Sequence, residues 1–378
     1  HLRHFLVPFP QRYRMTGLDI HIVERALQFK QPAGTSRGVL TEKPSFYVVA
    51  RDLEEDGRVG IGECSLIPGL SPESEMRARL ELKKLAASGA LDPKSMSLQY
   101  PAVRFAAETA LIDLLNEGDR TLFPGPFTEG RPVPINGLIW MGDVADMVAQ
   151  AESLLERGFD TLKMKVGALD FERELECLEA IRAIAPAGEV TLRLDANGGL
   201  DDEDLSVTLG KLERLAAFDI HSMEQPIRPG QWKKMQAVCI GSDIPIALDE
   251  ELIGVHDTDL RRNLLHIVKP HYIILKPSLI GGLVEANHWI DLAAEVEAGW
   301  WATSALESNI GLNAIAQWAA DATAEEARPM PQGLGTGSLF TNNLPSPLVV
   351  GEGTLRLDRP EAQANGTLRK WDLSDLLG

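Results

Sequence analysis

Between about residues 132 and 340 the chain alternates short apolar runs with helical stretches, and no other feature restricts its fold as strongly. The runs are "VPINGLIW" (133–140), "TLKMKVG" (161–167), "VTLRLDANG" (190–198), "IHSMEQP" (220–226), "PIALDEE" (245–251), "YIILKPS" (272–278) and "WWATSALE" (300–307), with "GLGTGS" (333–338) a weaker eighth. Strand–helix–strand repetition produces a parallel sheet, and seven or eight such units of roughly 30 residues suit a closed (β/α) barrel. A length of 378 residues fits one large barrel with additions, or two domains.

Side chains alternate across a strand, so parity assigns faces. In "TLKMKVG", Leu162, Met164 and Val166 share one face while Lys163 and Lys165 share the other. With helices wrapped around the barrel, the apolar set faces outward and both lysines face the interior, where buried ammonium groups need anionic partners. The following strands offer them. Asp195 opposes Leu192 and Leu194, Glu224 opposes Met223, Asp249 opposes Ile246 and Leu248, and Lys276 opposes Ile273 and Leu275. The steps 165→195, 195→224, 224→249 and 249→276 are 30, 29, 25 and 27 residues, which is one ionisable residue per unit at the C-terminal end of its strand. Barrels of this kind build their active sites at that end, so these residues are expected to converge.

Asp195, Glu224 and Asp249 supply hard carboxylate oxygens from three adjacent strands, a set suited to Mg²⁺ with positions left for water or substrate. Lys165 and Lys276 stand on either side, as amines whose burial is expected to bring them toward proton transfer. A divalent cation flanked by amines fits removal of a proton α to a carboxylate, where the metal stabilises the developing enediolate charge and a lysine acts as base. Each residue alone has an ordinary reading. Lys-x-Lys commonly marks a solvated strand edge, Asp-Ala-Asn-Gly a turn, and Glu250 a helix-start acid. Parity and spacing across five strands weigh against those readings.

The flanking sequence is of another kind. "SFYVVARD" (45–52) and "DGRVGIGECS" (56–65) read as strands of a small antiparallel sheet. Ser71 and Pro72 read as the N-cap and first turn of a helix through "ESEMRARLELKKLAAS", and "AVRFAAETALIDLLNE" as a second helix stopping at Gly118. "TLFPGPFTEGRPVP" (121–134) reads as a linker, and the tail from "PLVVGEG" is expected to return to the N-terminal sheet. The expected division is residues 1–131 for the N-terminal part of an α+β capping domain, 132–340 for the barrel with the catalytic site, and 341–378 for a segment returning to the cap.

A formal charge of −18 disfavours nucleic acid and anionic membrane as partners. No apolar run is long enough to span a bilayer, and the N-terminus lacks a signal-like core. Cys64, Cys177 and Cys239 lie far apart with no metal or redox spacing, which fits a reducing cytoplasm. A chain beginning at His1 is expected to start at a processed or externally defined end.

"KMK" (163–165), "DAN" (195–197), "EQP" (224–226), "DE" (249–250) and "KPSLIGG" from Lys276 resemble, in order and spacing, the enolase superfamily in its muconate-lactonising subgroup. The resemblance extends to "GIGECSLIPGLSPES" (60–74) and "VRFAAETALIDL" in the cap. It implies a modified TIM-type (β/α)7β barrel with an α+β capping domain, and Mg²⁺ as cofactor with Mn²⁺ able to substitute. It further implies Lys165 as the base, Lys163 holding the enediolate, Lys276 stabilising charge from the opposite face, and Asp195, Glu224 and Asp249 as metal ligands. Asn197 and Glu250 would stand behind those ligands. "TSALESNIGL" and "GLGTGSLF" are similar to members that dehydrate a succinyl-bearing hydroxycyclohexadiene carboxylate on the way to menaquinone. There Thr303 and Ser304 would offer hydroxyls, Gly335 a backbone N–H, and Arg37, on the cap loop "GTSRGVL", would meet the succinyl carboxylate. The strand-eight "GLGTG" lacks the acidic residue that many relatives carry in this region.

Three other readings stay open on sequence. A racemase or epimerase of the same subgroup would act on an N-succinylamino acid or a dipeptide, a Schiff-base lyase would use one barrel lysine covalently, and a binding protein would keep the barrel without its chemistry. The partner expected throughout is a small carboxylate substrate.

Overall fold

The computed structural model describes residues 13–35, 38–54, 57–358 and 371–377. Seven parallel strands, Gly137–Ile139, Thr161–Lys165, Thr191–Asp195, Ile220–Glu224, Ile246–Leu248, Tyr272–Leu275 and Gly299–Ala302, pair strictly in sequence order. Gln332 and Gly333 close the ring by parallel bridges to Ile135 on one side and Thr303 on the other. The N–H of Asn136 donates to Gln332 O (2.9 Å) and that of Gly333 to Ala302 O (2.7 Å). No helix follows this eighth segment before the tail, so the barrel is (β/α)7β, and the eighth strand amounts to a bridge at the start of the "GLGTGS" motif.

The parity expected from sequence holds. Leu162, Met164, Val166, Leu192, Leu194, Met223, Ile246, Leu248, Ile273 and Leu275 all belong to the core cluster between barrel and helices. Inside, below the mouth, Trp301, Ala247 and Ile274 fill the barrel, with the Arg193 guanidinium 4.0 Å from the Trp301 ring centroid. Trp301 is therefore barrel filling.

The cap is an antiparallel sheet of Leu18–Thr35, Gly38–Asp52 and Val59–Ser65 covered by helices Glu75–Ser88 and Pro101–Leu115. Val59–Ser65 lies directly on the second helix. A Cβ at Gly60 would collide with the Ala110 carbonyl, and one at Gly62 with the Ala106 carbonyl, so these positions need glycine for close approach. Two buried cap carboxylates complete barrel helices by bonding their unpaired first-turn N–H groups. Glu63 accepts from Ser308 N (2.8 Å) and Gly311 N (2.9 Å) at the start of Asn309–Ala322. Glu108 accepts from Leu283 N and Val284 N at the start of Leu283–Glu295. The cap is thereby fixed to the helices that follow two site strands.

Three local expectations differ from the structure. The first cap helix starts at Glu75 with Ser74 as its N-cap, because the Ser71 hydroxyl is held in the preceding turn by Ile67 N (2.9 Å). The 121–134 stretch is not an open linker: Leu122, Phe123 and Phe127 are buried in the barrel core, and the Gln317 side chain accepts from Leu122 N and Phe123 N (2.8 and 3.0 Å). The Leu348–Gly351/Thr354–Leu357 hairpin pairs with Val133–Pro134 instead of the cap sheet, where Leu348 and Leu355 gain burial in the barrel core. Beyond it, Trp371, Leu373 and Leu376 pack against Tyr47, Val49 and Ile61 of the cap.

Gly62→Ala is expected to lower stability by about 2 kcal/mol through overpacking of the strand against the helix. Urea denaturation followed by circular dichroism checks this; an unchanged midpoint would contradict the close-approach account.

Candidate active site

The parallel register sets one ionisable side chain beside the next. Lys165 pairs with Asp195 across the 161–165 and 191–195 strands, and Asp195 with Glu224 across the next pair. Asp249 and Lys276 each follow directly on the ends of Ile246–Leu248 and Tyr272–Leu275. Asp195, Glu224 and Asp249 are each 2% exposed. The three lysine side chains are also largely buried, with Lys165 the most open at 14%.

The lysines bind the acids directly. Lys163 Nζ lies 2.8 and 2.7 Å from the two Glu224 oxygens and 3.0 Å from Asp195 Oδ2. Lys165 Nζ donates to Asn197 Oδ1 (2.6 Å) and Asp195 Oδ2 (3.2 Å). Lys276 Nζ donates to Asp249 Oδ2. Asn197 has a left-handed backbone, φ 44°, a conformation that Asn tolerates better than most residues. Its N–H bonds back to Asp195 Oδ1 (3.1 Å) and its amide donates to Glu250 Oε1 (2.9 Å). Glu250 thus orients Asn197, and Asn197 orients Lys165.

Charge decides how these groups titrate. Burial opposes ionisation of Asp195, yet Lys163, Lys165 and Lys276 outweigh it and hold this carboxyl well below the usual range. Burial, then the neighbouring Asp195 charge, pushes Glu224 up to about 7. Asp249 is raised by burial against the pull of Lys276. Of the two amines expected to be lowered by burial and a nearby cation, Lys276 is instead held up by its carboxylate neighbours, as is Lys163. Burial favours neutral Lys163 and Lys276, but the surrounding carboxylates raise both above the ordinary lysine range.

Two buried carboxyls resist ionisation because burial, and after it neighbouring like charge, disfavours the anion, which is the electrostatic setting a divalent cation relieves. The donor set is all hard oxygen from adjacent strand ends and fits such an ion. In the arrangement described, ammonium groups occupy those oxygens, and no three acidic, His or Cys side chains among the described residues converge at ligating distance. Cation binding therefore requires Lys163 to turn away from Glu224.

A cavity of about 950 Å³ opens above the cluster, lined by Lys163, Lys165, Asp195, Asn197 and Lys276 from below and by Phe29, Ile67 and Leu70 of the cap from above. Thr303, Ser304 and Gly335 also line it. The Thr303 hydroxyl is buried without a hydrogen-bond partner, so it is available to a ligand. That of Ser304 is committed to Thr336 Oγ1 (2.7 Å) and Leu306 N (3.0 Å), so Ser304 shapes the loop. Arg37 lies outside the described residues. Among the described lining residues the cations are Lys30, Arg157, Lys163, Lys165 and Lys276, against the acids Asp146 and Asp195. Lys163, Lys165 and Lys276 are matched by Asp195, Glu224 and Asp249 at the cavity floor. Sequence reading missed Lys30 and the cap's apolar lining, since nothing local in a strand residue tells that it will roof a distant barrel. It also quoted Gln225 within "EQP" without reading its side chain.

The family described as enolase C-terminal domain-like matches residues 146–362. The chain is 45% identical over 376 residues to the o-succinylbenzoate synthase of Desulfotalea psychrophila, covering 90% of this chain and 99% of that protein. The crystal structure of MenC from the same organism superposes with a TM-score of 0.78 at 39% identity, covering 90% of this chain and all of that one. A dipeptide epimerase from Enterococcus faecalis, complexed with Mg and the dipeptide L-Leu-L-Tyr, superposes with a TM-score of 0.75 at 21% identity over 90% of this chain and 96% of that one.

Lys163→Met removes the ammonium that both Glu224 oxygens bind. In EDTA-treated protein it should cost about 3 kcal/mol at pH 8. The loss should shrink by pH 5.5, below the raised Glu224 pKa of about 7, where the folded state holds that carboxyl protonated. Urea titrations at the two pH values measure the difference; a pH-independent loss would contradict it.

Proposed function

The chain belongs to the enolase C-terminal domain-like family, and from that membership we propose that it is an o-succinylbenzoate synthase. The reaction is abstraction of the α-proton from a succinyl-bearing hydroxycyclohexadiene carboxylate followed by loss of water, which leaves an aromatic ring. The observation that carries this reading is the 45% identity to a protein of that activity across almost the whole of both chains, while the epimerase likeness at 21% concerns the fold. The cavity agrees with it. A substrate carboxylate suits the lysines at its floor, whereas a dipeptide's ammonium group would meet no carboxylate in the strand-eight "GLGTG" segment.

Asp195, Glu224 and Asp249 would hold Mg²⁺, or Mn²⁺ in its place. When bound, the cation supplies electrophilic stabilisation of negative charge developing on the substrate carboxylate. Lys165, the most open of the three lysines and held by Asn197 and Asp195, takes the α-proton. The electron pair left on carbon spreads into the carboxylate as an enediolate. Lys163 donates to the enediolate once turned from Glu224, and Lys276, tied to Asp249, places positive charge on the opposite side of the cavity. As the enediolate collapses, the β-hydroxyl leaves with its bonding electrons. Protonated Lys165 returns the proton it took, so water departs and the amine is restored. Thr303 Oγ and the Gly335 backbone are assigned to substrate, and Arg37 to its succinyl carboxylate. The site is assigned to residues 132–340 and its roof to the cap within 1–131; of the tail, the 348–357 hairpin joins the barrel and Trp371, Leu373 and Leu376 pack on the cap. The three cysteines are free and buried, and among the described residues no helix is long and apolar enough to cross a membrane; a cytoplasmic place in menaquinone biosynthesis is part of the proposal and rests on the likeness to o-succinylbenzoate synthase.

Purified protein assayed by ultraviolet absorbance of the aromatic product should be active with Mg²⁺ and inactive in EDTA, with activity restored by excess metal. Lys165→Ala and Lys276→Ala should each lower kcat by ~1,000-fold or more with unchanged circular dichroism. Near-normal turnover by Lys165→Ala would exclude it as the base.

A further inference from the structure

Gln225 lies between Glu224 and Pro226 and is fully buried. Its backbone is left-handed, φ 41°, a conformation that costs a non-glycine residue about 1 kcal/mol or more. Every polar group of the residue is engaged, and all its bonds except a local one to Ile227 reach the segments around Asp195 or Asp249. The Gln225 carbonyl accepts from Gly198 N (2.7 Å), in the turn that follows Asp195. Its N–H donates to Ala247 O (2.8 Å), on the strand that leads to Asp249. Side-chain Oε1 accepts from both Asp249 N (3.1 Å) and Glu251 N (3.2 Å). Nε2 donates to Ile227 O (2.9 Å) and Glu251 Oε2 (3.3 Å).

We infer that Gln225 is the positioning residue that sets the spacing of Asp195, Glu224 and Asp249, and so the affinity of their carboxylates for a divalent cation. Its partners fix the amide orientation, because two backbone N–H groups face one end and two acceptors face the other. Parallel pairing ends before Asp249: the last register pairs of its strand are Met223 with Ile246 and Glu224 with Ala247 on one side, and Leu248 with Ile273 on the other. Past that point sheet hydrogen bonds no longer hold the acid's backbone, and the Gln225 side chain replaces them. Mg²⁺ tolerates little departure from octahedral geometry at about 2.1 Å, so loosening one of three backbones weakens binding more than it weakens the fold. Leu has the size without the bonds.

The inference rests on the proposed metal role of the three acids, and the test separates the two. Mn²⁺ is titrated into EDTA-treated, desalted full-length protein by calorimetry, with electron paramagnetic resonance of the bound ion as a second readout. Gln225→Leu is expected to raise the Mn²⁺ Kd at least about tenfold and broaden the spectrum. Gly62→Ala, destabilised far from the site, is expected to leave the Kd unchanged. Should Gln225→Leu fail to fold, the more flexible Gln225→Met gives the same comparison. A folded Leu or Met variant that binds Mn²⁺ like wild type overturns the role of Gln225. Wild type that binds no Mn²⁺ overturns the metal reading itself.

Discussion

The structure depends on pairing buried ammonium groups with buried carboxylates at one end of a closed sheet. Three acids that are each 2% exposed would be strongly destabilising alone, and removing charges from water is not repaid by proximity unless the geometry is close. Here Lys163 spans Glu224 and Asp195, Lys165 holds Asp195, and Lys276 holds Asp249. The pairing is incomplete: Glu224 and Asp249 still sit above the usual carboxylate range. That residual strain separates a site made to exchange partners from a settled structural ion pair.

Sheet register delivers the side chains, but the turns beyond it aim them. Asn197 and Gln225 both have left-handed backbones, and their side chains tie neighbouring strand ends together through Lys165, Glu250, Asp249 and Glu251. The cap contributes in two ways. Its apolar residues roof the cavity, and Glu63 and Glu108 complete the first turns of barrel helices, which couples the roof to the elements following Lys276 and Thr303.

The barrel and the six charged residues at its mouth were legible because two short-range signals coincide. A period of two along each strand separates Lys163 and Lys165 from Leu162 and Met164, and a period near 30 residues repeats one ionisable position per unit. Where a signal was purely local, the structure departed from it. Ser71 has the composition of an N-cap, but its hydroxyl is spent on Ile67 and Ser74 takes the role. Proline and glycine at 121–134 mark an irregular path that is nonetheless buried. Ser304 has the hydroxyl expected of a ligand contact, yet Thr336 occupies it.

Sequence by itself determined which residues face the barrel interior, their order around it and the chemistry they can perform, because alternation and strand order are properties of the covalent chain. Tertiary structure alone decided which amine meets which acid, in which direction their pKa values move, and which distant cap residues close the cavity. Those depend on distances across the ring, on burial from water and on side chains such as Gln225 whose partners lie on other strands, none of which a linear pattern encodes.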